Sequence, residues 1–242
     1  MSKSVRRGYV LSDEKEFSSR AVSILKHCQE DLSMLLERGY AIDKSIVFVG
    51  NHYGLSKRQR GALVRSTSTR KCINMRKNKL IKNKLNEKIL QIDGFNLIIT
   101  LEVALSNSTL ILGMDGTIRD IAGLHGTYSL IDKTDIAIDL IGKELDELKI
   151  KKAIFYLDSP VSNSGRLKQR ILQLLDKYKF EVEVNLVKNA DIELENKEYV
   201  VSTDAIILNK CISWVNLSRD IINKRITNFK YIDLSMDNNI LI

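Results

Sequence analysis

Ile89-Leu90-Gln91-Ile92-Asp93-Gly94-Phe95-Asn96 is the stretch on which the fold of this 242-residue chain turns. A short apolar run ends in an aspartate, a glycine and an asparagine. A second apolar series follows at Leu97, Ile98, Ile99, Leu101, Val103 and Leu105. A short apolar run bounded by turn signals reads as a buried strand. The spacing therefore predicts a parallel strand over 88–92 whose C-terminal end presents the Asp93 carboxylate. Gly94 is expected to let the backbone turn sharply, and the next helix to start at about Asn96. In open α/β sheets ligands bind at the C-terminal ends of strands, so Asp93 is the first candidate for chemistry.

Downstream, strands and helices alternate. A helix is predicted at about 97–107, a strand from Thr109 to Met114, and then a loop holding Gly113, Gly116, Gly123 and Gly126. An amphipathic helix follows at 134–148, with Ile136, Leu140, Ile141, Leu145 and Leu148 on one face. A strand at 152–157 ends in Asp158, and the loop 159–165 leads into a helix at 165–178. Strands are predicted at 181–186 and 198–202, the latter leading to Asp204. A helix at 205–210, a strand at 213–216, a helix at 217–224 and a strand at 229–232 complete the pattern. Such alternation implies an α/β fold over 88–242, a mostly parallel sheet flanked by helices.

Upstream, Val22, Leu25, Leu32, Leu35 and Leu36 recur at helical spacing within 14–38, and Gly39 supplies a C-cap. A short apolar element follows at 40–50, a turn at 51–54, a basic helix at 55–65 and a polar break at 66–69. Residues 1–80 thus read as a small helical, basic N-terminal module.

Charge sets this module apart. Residues 57–88 hold twelve Lys or Arg against one acid, Glu87, a local charge of +11. The whole chain carries +8, so the remainder is left at −3. Such a band is an electrostatic footprint for polyanions, with a solvated linker as the bland alternative. Lys57, Arg58, Arg60, Arg65, Arg70 and Lys71 are its candidate substrate-binding residues. Hydrophobic residues make up 44% and charged ones 28%, as in ordinary globular proteins. No apolar run is long enough to span a membrane. Met1 to Asp13 lacks the apolar core of a secretory signal. Cys28, Cys72 and Cys211 lie far apart, as do His27, His52 and His125, so reduced thiols in a cytoplasmic protein are expected rather than a zinc site.

Three predicted strands end alike, at Asp93, Asp158 and Asp204. On one parallel sheet these carboxylates would line one edge, where an all-oxygen acidic pocket suits Mg²⁺ or Mn²⁺. Two metals there would activate water and stabilise the leaving oxygen of a phosphodiester. Each aspartate could equally cap a helix. Ser162 and Ser164, entering the helix at 165–178, offer hydroxyls at a helix N-terminus for phosphate, or simple capping.

Ile-Asp-Gly-Phe-Asn-Leu-Ile over 92–98 resembles the opening motif of the NYN and PIN-like ribonucleases. Val-Ser-Thr-Asp-Ala-Ile-Ile over 201–207 resembles their later Ser/Thr-x-Asp motif. The resemblance covers about 88–232 and implies a PIN-like domain in which clustered acids bind Mg²⁺ or Mn²⁺ and cut RNA. It places Asp93, Asp158 and Asp204 as metal ligands and Asn96 as the residue orienting a ligand or water. It also asks for an acid on an intervening helix, for which Asp135 and Asp139 are candidates, in competition with Asp115 and Asp120. The chain also looks similar to uncharacterised prokaryotic proteins that place a small N-terminal domain before such a C-terminal domain. Met114-Asp115-Gly116-Thr117 resembles a haloacid-dehalogenase motif, but Gly113 stands where that motif needs its nucleophile. The leading expectation is a metal-dependent ribonuclease. The rivals are a non-catalytic RNA-binding protein and a phosphohydrolase of a small phosphorylated substrate.

Overall fold

In a computed structural model, which describes residues 5–123 and 126–236, the strands are β1 (Ile89–Asp93), β2 (Thr109–Leu112), β3 (Ile118–Asp120), β4 (Lys152–Asp158), β5 (Glu181–Val187), β6 (Val200–Val201) and β7 (Lys230–Asp233). Four of them form one wholly parallel sheet in the order β5-β4-β1-β6. The other three form a second sheet, β3-β2-β7, in which β2 runs antiparallel to β3 and parallel to β7. The fold is α/β with a mostly parallel sheet flanked by helices, as the alternation implies. The short strand β3 lies within the glycine-rich stretch that reads as loop. Gly116, at φ +76°, provides the left-handed turn that brings β3 back onto β2.

Helices α1 (Asp13–Glu16), α2 (Ser19–Glu37), α3 (Ile42–His52), α4 (Lys57–Ser66) and α5 (Arg70–Lys79) precede the sheets. Between and after the strands run α6 (Gly94–Leu105), α7 (Thr134–Glu147), α8 (Ser164–Leu175), α9 (Ala190–Leu194), α10 (Ala205–Lys210) and α11 (Leu217–Arg225). Side chains alternate across β1. Leu90 and Ile92 join Phe155 and Leu157 of β4 in a core covered by α6, α7 and α8. On the opposite face Tyr156, Val200, Leu194, Ile207, Leu208 and Trp214 pack beneath α9 and α10. The register Asp93↔Tyr156 puts Asp93 on this second face.

Helix α6 is buried along most of its length, which explains its near-continuous apolar sequence. Its buried Glu102 is matched by Arg7 (2.8 Å) and the Tyr128 hydroxyl (2.8 Å), tying the N-terminal segment to the middle of the fold. The helix starts at Gly94, two residues before the expected Asn96, because Asp93 is its N-cap and accepts the Asn96 amide at 3.3 Å. Gly94 does not have positive φ. It is needed for close approach, since a Cβ there would stand 2.6 Å from Cδ2 of Leu157.

The N-terminal helices share a core with the second sheet. Leu25, Cys28 and Leu32 of α2, Val49 of α3 and Leu63 of α4 pack with Ile111 of β2 and with Leu234. Helix α5, not separately expected from the sequence, docks on α10 instead. The Trp214 indole donates to the Arg76 carbonyl at 2.7 Å, and Trp214 makes single parallel bridges to Leu80 and Val200. Those bridges replace the strand expected at 213–216. Among the described residues, no helix is long and apolar enough to cross a membrane. His125 and its neighbour at 124 lie outside the described residues.

Candidate functional site

The C-terminal edge of the parallel sheet carries the strand-end acids. Asp93 follows from β1, Asp158 from its neighbour β4, and Asp204 from β6 on the other side of β1. A fourth acid, Asp191 in the first turn of α9, joins them. Asp93 is only 7% exposed. Burial pushes its carboxyl up to about 7, with the charges of Asp204 and Asp191 adding to that effect and hydrogen bonds from Ser202 and Asn96 opposing it. Burial and the charges of Asp204 and Asp158 likewise raise Asp191. Asp191 thus lies within electrostatic reach of Asp93, Asp158 and Asp204, and Asp93 within reach of Asp204. Among the described residues no Lys or Arg is ion-paired with any of them; Lys210, the cation beside Asp191, pairs with Glu195.

Each of the three strand-end acids also serves a backbone amide. Asp93 accepts the Asn96 amide through Oδ1 and the Ser202 hydroxyl (2.9 Å) through Oδ2. Oδ1 of Asp158 accepts the Ala190 amide at 2.8 Å at the start of α9. Oδ1 of Asp204 caps α10, accepting the Ile206 amide at 2.7 Å. Among the described residues, Oδ2 of Asp158 and Oδ2 of Asp204 accept no protein hydrogen bond.

Thr203 is gripped from two sides. The Asn96 side-chain oxygen accepts both its amide (2.9 Å) and its hydroxyl (3.0 Å), and Arg119 Nε donates to its carbonyl at 2.6 Å. The expected ligand-orienting Asn96 therefore spends its oxygen on holding the β6–α10 turn. Arg119 is in turn bidentate on Asp115, at 2.9 and 2.7 Å, and Arg76 adds a third contact at 2.6 Å. Burial would raise the Asp115 carboxyl, but the two guanidiniums hold it well below the usual carboxylate range. Arg76 continues to Asn209 Oδ1 at 2.8 Å and to the Ala205 carbonyl, one residue beyond Asp204. Asp115 is thus the centre of a buried support for the turn, not a member of the edge. Asp120 likewise turns inward, accepting the Ala122 amide and facing Arg65.

Asp135 and Asp139 lie away from these acids, on the side of α7 that meets α8 and the residues after it. Asp135 is bidentate with Arg170, through Nε at 2.6 Å and through Nη2. Asp139 is engaged by Lys143 (2.8 Å), Lys177 and the Tyr178 hydroxyl (2.9 Å), which hold its carboxyl below the ordinary range. Their charges are answered locally by the packing of α7. Ser162 bonds both ways with the Tyr128 backbone, at 2.9 and 3.0 Å, and buried Ser164 turns back to the Ser159 carbonyl. Both pin the loop ahead of α8, and neither caps it, since the N-cap is Asn163 in a left-handed conformation.

The basic band divides in the same way. Arg58 grips Asp13 and the carbonyls of Ile121 (2.8 Å) and Gly8 (3.0 Å). Arg60 bonds the Leu55 carbonyl (2.9 Å) and the Asn51 side chain, and Arg65 bonds the Asp120 carbonyl (2.9 Å). Three of the six candidate substrate cations therefore serve the fold, while Lys57, Arg70 and Lys71 face outward. Asp191, Ser202 and Arg119 escape a reading of the sequence for site residues. Ser202 stands inside the 201–207 motif, and Asn189 before Asp191 carries a helix-cap signal within a polar stretch.

Residues 82–220, more than half of the chain, match the family described as a domain of unknown function, DUF5616. The chain belongs to that family. All four edge acids and Asp115 fall inside the DUF5616 region, and Arg76 falls inside residues 24–79, which match a protein of unknown function, DUF434. An uncharacterized protein of Methanocaldococcus jannaschii is 39% identical over 185 residues, 76% of this chain and 88% of that protein. No solved structure matches the chain.

Proposed function

We propose that the protein is a divalent-metal-dependent nuclease that cuts RNA at the C-terminal edge of its parallel sheet. One observation carries this reading: four acids from three strand ends and α9 lie along that edge with no ion-paired cation among the described residues. The motifs at 92–98 and 201–207, similar to those of NYN and PIN-like ribonucleases, support it.

An all-oxygen donor set fits Mg²⁺ or Mn²⁺. Among the described residues no three acids stand close enough to ligate one ion together. That suits Mg²⁺ held by one or two carboxylates, its remaining positions filled by water and substrate phosphate. Asp93 and Asp204 would hold it, with Asp158 and Asp191 shaping the field around them. A bound divalent ion supplies Lewis-acid polarisation of the phosphoryl group and a more acidic water. The chain's own groups do the positioning: Ser202 and the Asn96 amide fix the Asp93 carboxyl, and Asn96 and Arg119 fix the turn that carries Asp204.

The test is cleavage of end-labelled single-stranded RNA with Mg²⁺ or Mn²⁺, expected in the wild type and lost in Asp93→Asn and Asp204→Asn. A second reading, a non-catalytic RNA-binding protein, is favoured by the amide each strand-end acid accepts. RNA binding without cleavage in either metal, unchanged by both substitutions, would establish it over the nuclease.

A further inference from the structure

We infer that the outward face of α5 is the track for the phosphate backbone of single-stranded RNA. The inference deepens the nuclease reading and rests on it for the cleavage of the bound strand. It narrows the RNA-binding surface expected over 57–88 to a single stripe, leaving out α4, whose arginines are engaged within the fold.

Arg70, Lys71, Asn74, Lys77 and Asn78 are all exposed. Their three- and four-residue spacings set them on one side of the helix. Arg76 and Lys79 turn the other way, onto α10, where the Lys79 ammonium donates to the Asn209 carbonyl at 2.9 Å. No Asp or Glu occurs from Ser66 to Asn86, so exposed Lys82 and Lys84 extend the stripe. Among the described residues, Arg70, Lys71, Lys77, Lys82 and Lys84 form no ion pair. The nearest acid at the helix start, Glu37, accepts the Arg70 backbone amide.

Two features point to a ligand rather than to plain solvation. Basic residues fill the first turn of α5 and no acid does, which sets them against the positive end of the helix dipole. The Glu37 carboxylate on the Arg70 amide offsets part of that arrangement, and a bound phosphate offsets the rest and releases counterions. In addition, α5 is held in a fixed relation to the acids, because Arg76, 2% exposed, reaches the carbonyl next to Asp204. The stripe therefore lies on the side of α5 that faces away from the end of β6, at a fixed place beside the acids. The two asparagines add neutral donors of the kind that bind phosphate and sugar. A membrane-surface helix would instead present apolar side chains, and this stripe has none.

The experiment uses the full chain and a fluorescently labelled, unstructured RNA, with EDTA present so that binding is read without cleavage. Arg70→Ala/Lys71→Ala/Lys77→Ala is compared with Arg20→Ala/Lys151→Ala/Lys179→Ala. The control removes the same charge from exposed sites at the start of α2 and at the opposite edge of the sheet, away from the basic band, and thermal melts confirm that both variants fold. The α5 variant is expected to bind about tenfold more weakly at moderate salt, and its log–log salt slope to fall by about 2, three single-strand contacts at about 0.7 each. The control is expected to change less than about twofold. Equal losses in the two variants, undiminished binding by the α5 variant, or wild-type binding to phosphatidylserine vesicles without RNA binding would each overturn the inference. RNA held on α5 but never cut would sink the nuclease reading and leave this one standing.

Discussion

Two aspartates, each followed by glycine, occupy opposite electrical worlds in this molecule. Asp93 is buried among other acids, and its carboxyl rises to about 7. The Asp115 side chain, 1% exposed, is at least as deeply buried, yet Arg119 and Arg76 hold its carboxyl well below the ordinary range. Burial alone penalises either charge; what differs is the company each keeps. Asp115 lies in a closed cluster in which the charges are matched. Asp93 lies where unmatched negative charge has collected at a sheet edge, the condition under which a cation, a proton or a phosphate-bound metal has something to gain. A structural acid and a candidate functional acid are thus told apart by their partners, not by their depth.

The largest effect should come from breaking the matched cluster. Asp115→Asn leaves Arg76 and Arg119 buried around a neutral group, and removing one partner of a buried pair costs about 3–5 kcal/mol. Urea unfolding at neutral pH should show that loss. Because the folded carboxyl lies below its unfolded value, the stabilisation is full above the unfolded value and is lost as pH falls toward the folded one. The gap between wild type and variant should therefore close in acid. A loss under about 1 kcal/mol at neutral pH would mean that Asp115 does not anchor the cluster.

Asp93→Asn should act with the opposite sign. The folded carboxyl lies above its unfolded value, so the contribution of Asp93 to stability is greatest below about pH 4 and falls as pH rises to about 7. Asparagine does not titrate. The variant should match the wild type near pH 4 and exceed it by a few kcal/mol, of order 4 at most, at pH 8. Thermal melts across that range check it, and Mn²⁺ at pH 8 should raise the wild-type midpoint but not that of the variant. A difference between wild type and variant that stays flat from pH 4 to 8 would remove the electrostatic strain assigned to the edge.

This contrast also marks how far the chain can be read without its fold. Alternating apolar periods locate β1, β4, β5 and β6 and most of the helices between them, because burial imposes those periods locally. The strand-end positions of Asp93, Asp158 and Asp204 come from the same signal. β3 and α9 do not, since elements this short leave almost no periodicity, and although strands are expected where β2 and β7 lie, nothing local tells that they form a separate sheet. Nor can charge counting divide the basic band. Arg76 and Asp115 meet across 39 positions, and Arg58 finds Asp13 across 45, so their neutralisation is a product of tertiary structure. Asp135 and Asp139 mislead for the same reason, their partners Arg170 and Lys177 coming from α8 and the residues after it.

The smallest expected effect asks whether the two aspartates belong to one mechanical unit. Thr203 stands between them, held by Asn96 from the Asp93 side and by Arg119 from the Asp115 side. Asn96→Ala removes the acceptor of two hydrogen bonds and should cost about 1–2 kcal/mol. Combined with Asp115→Asn, the loss should fall short of the sum by about 0.5–1 kcal/mol, because a turn already released by Arg119 has less to lose when Asn96 lets go. Strict additivity in urea unfolding would mean that the edge is set by Asn96 alone. The coupled result would make the matched cluster part of what keeps the unmatched one in place.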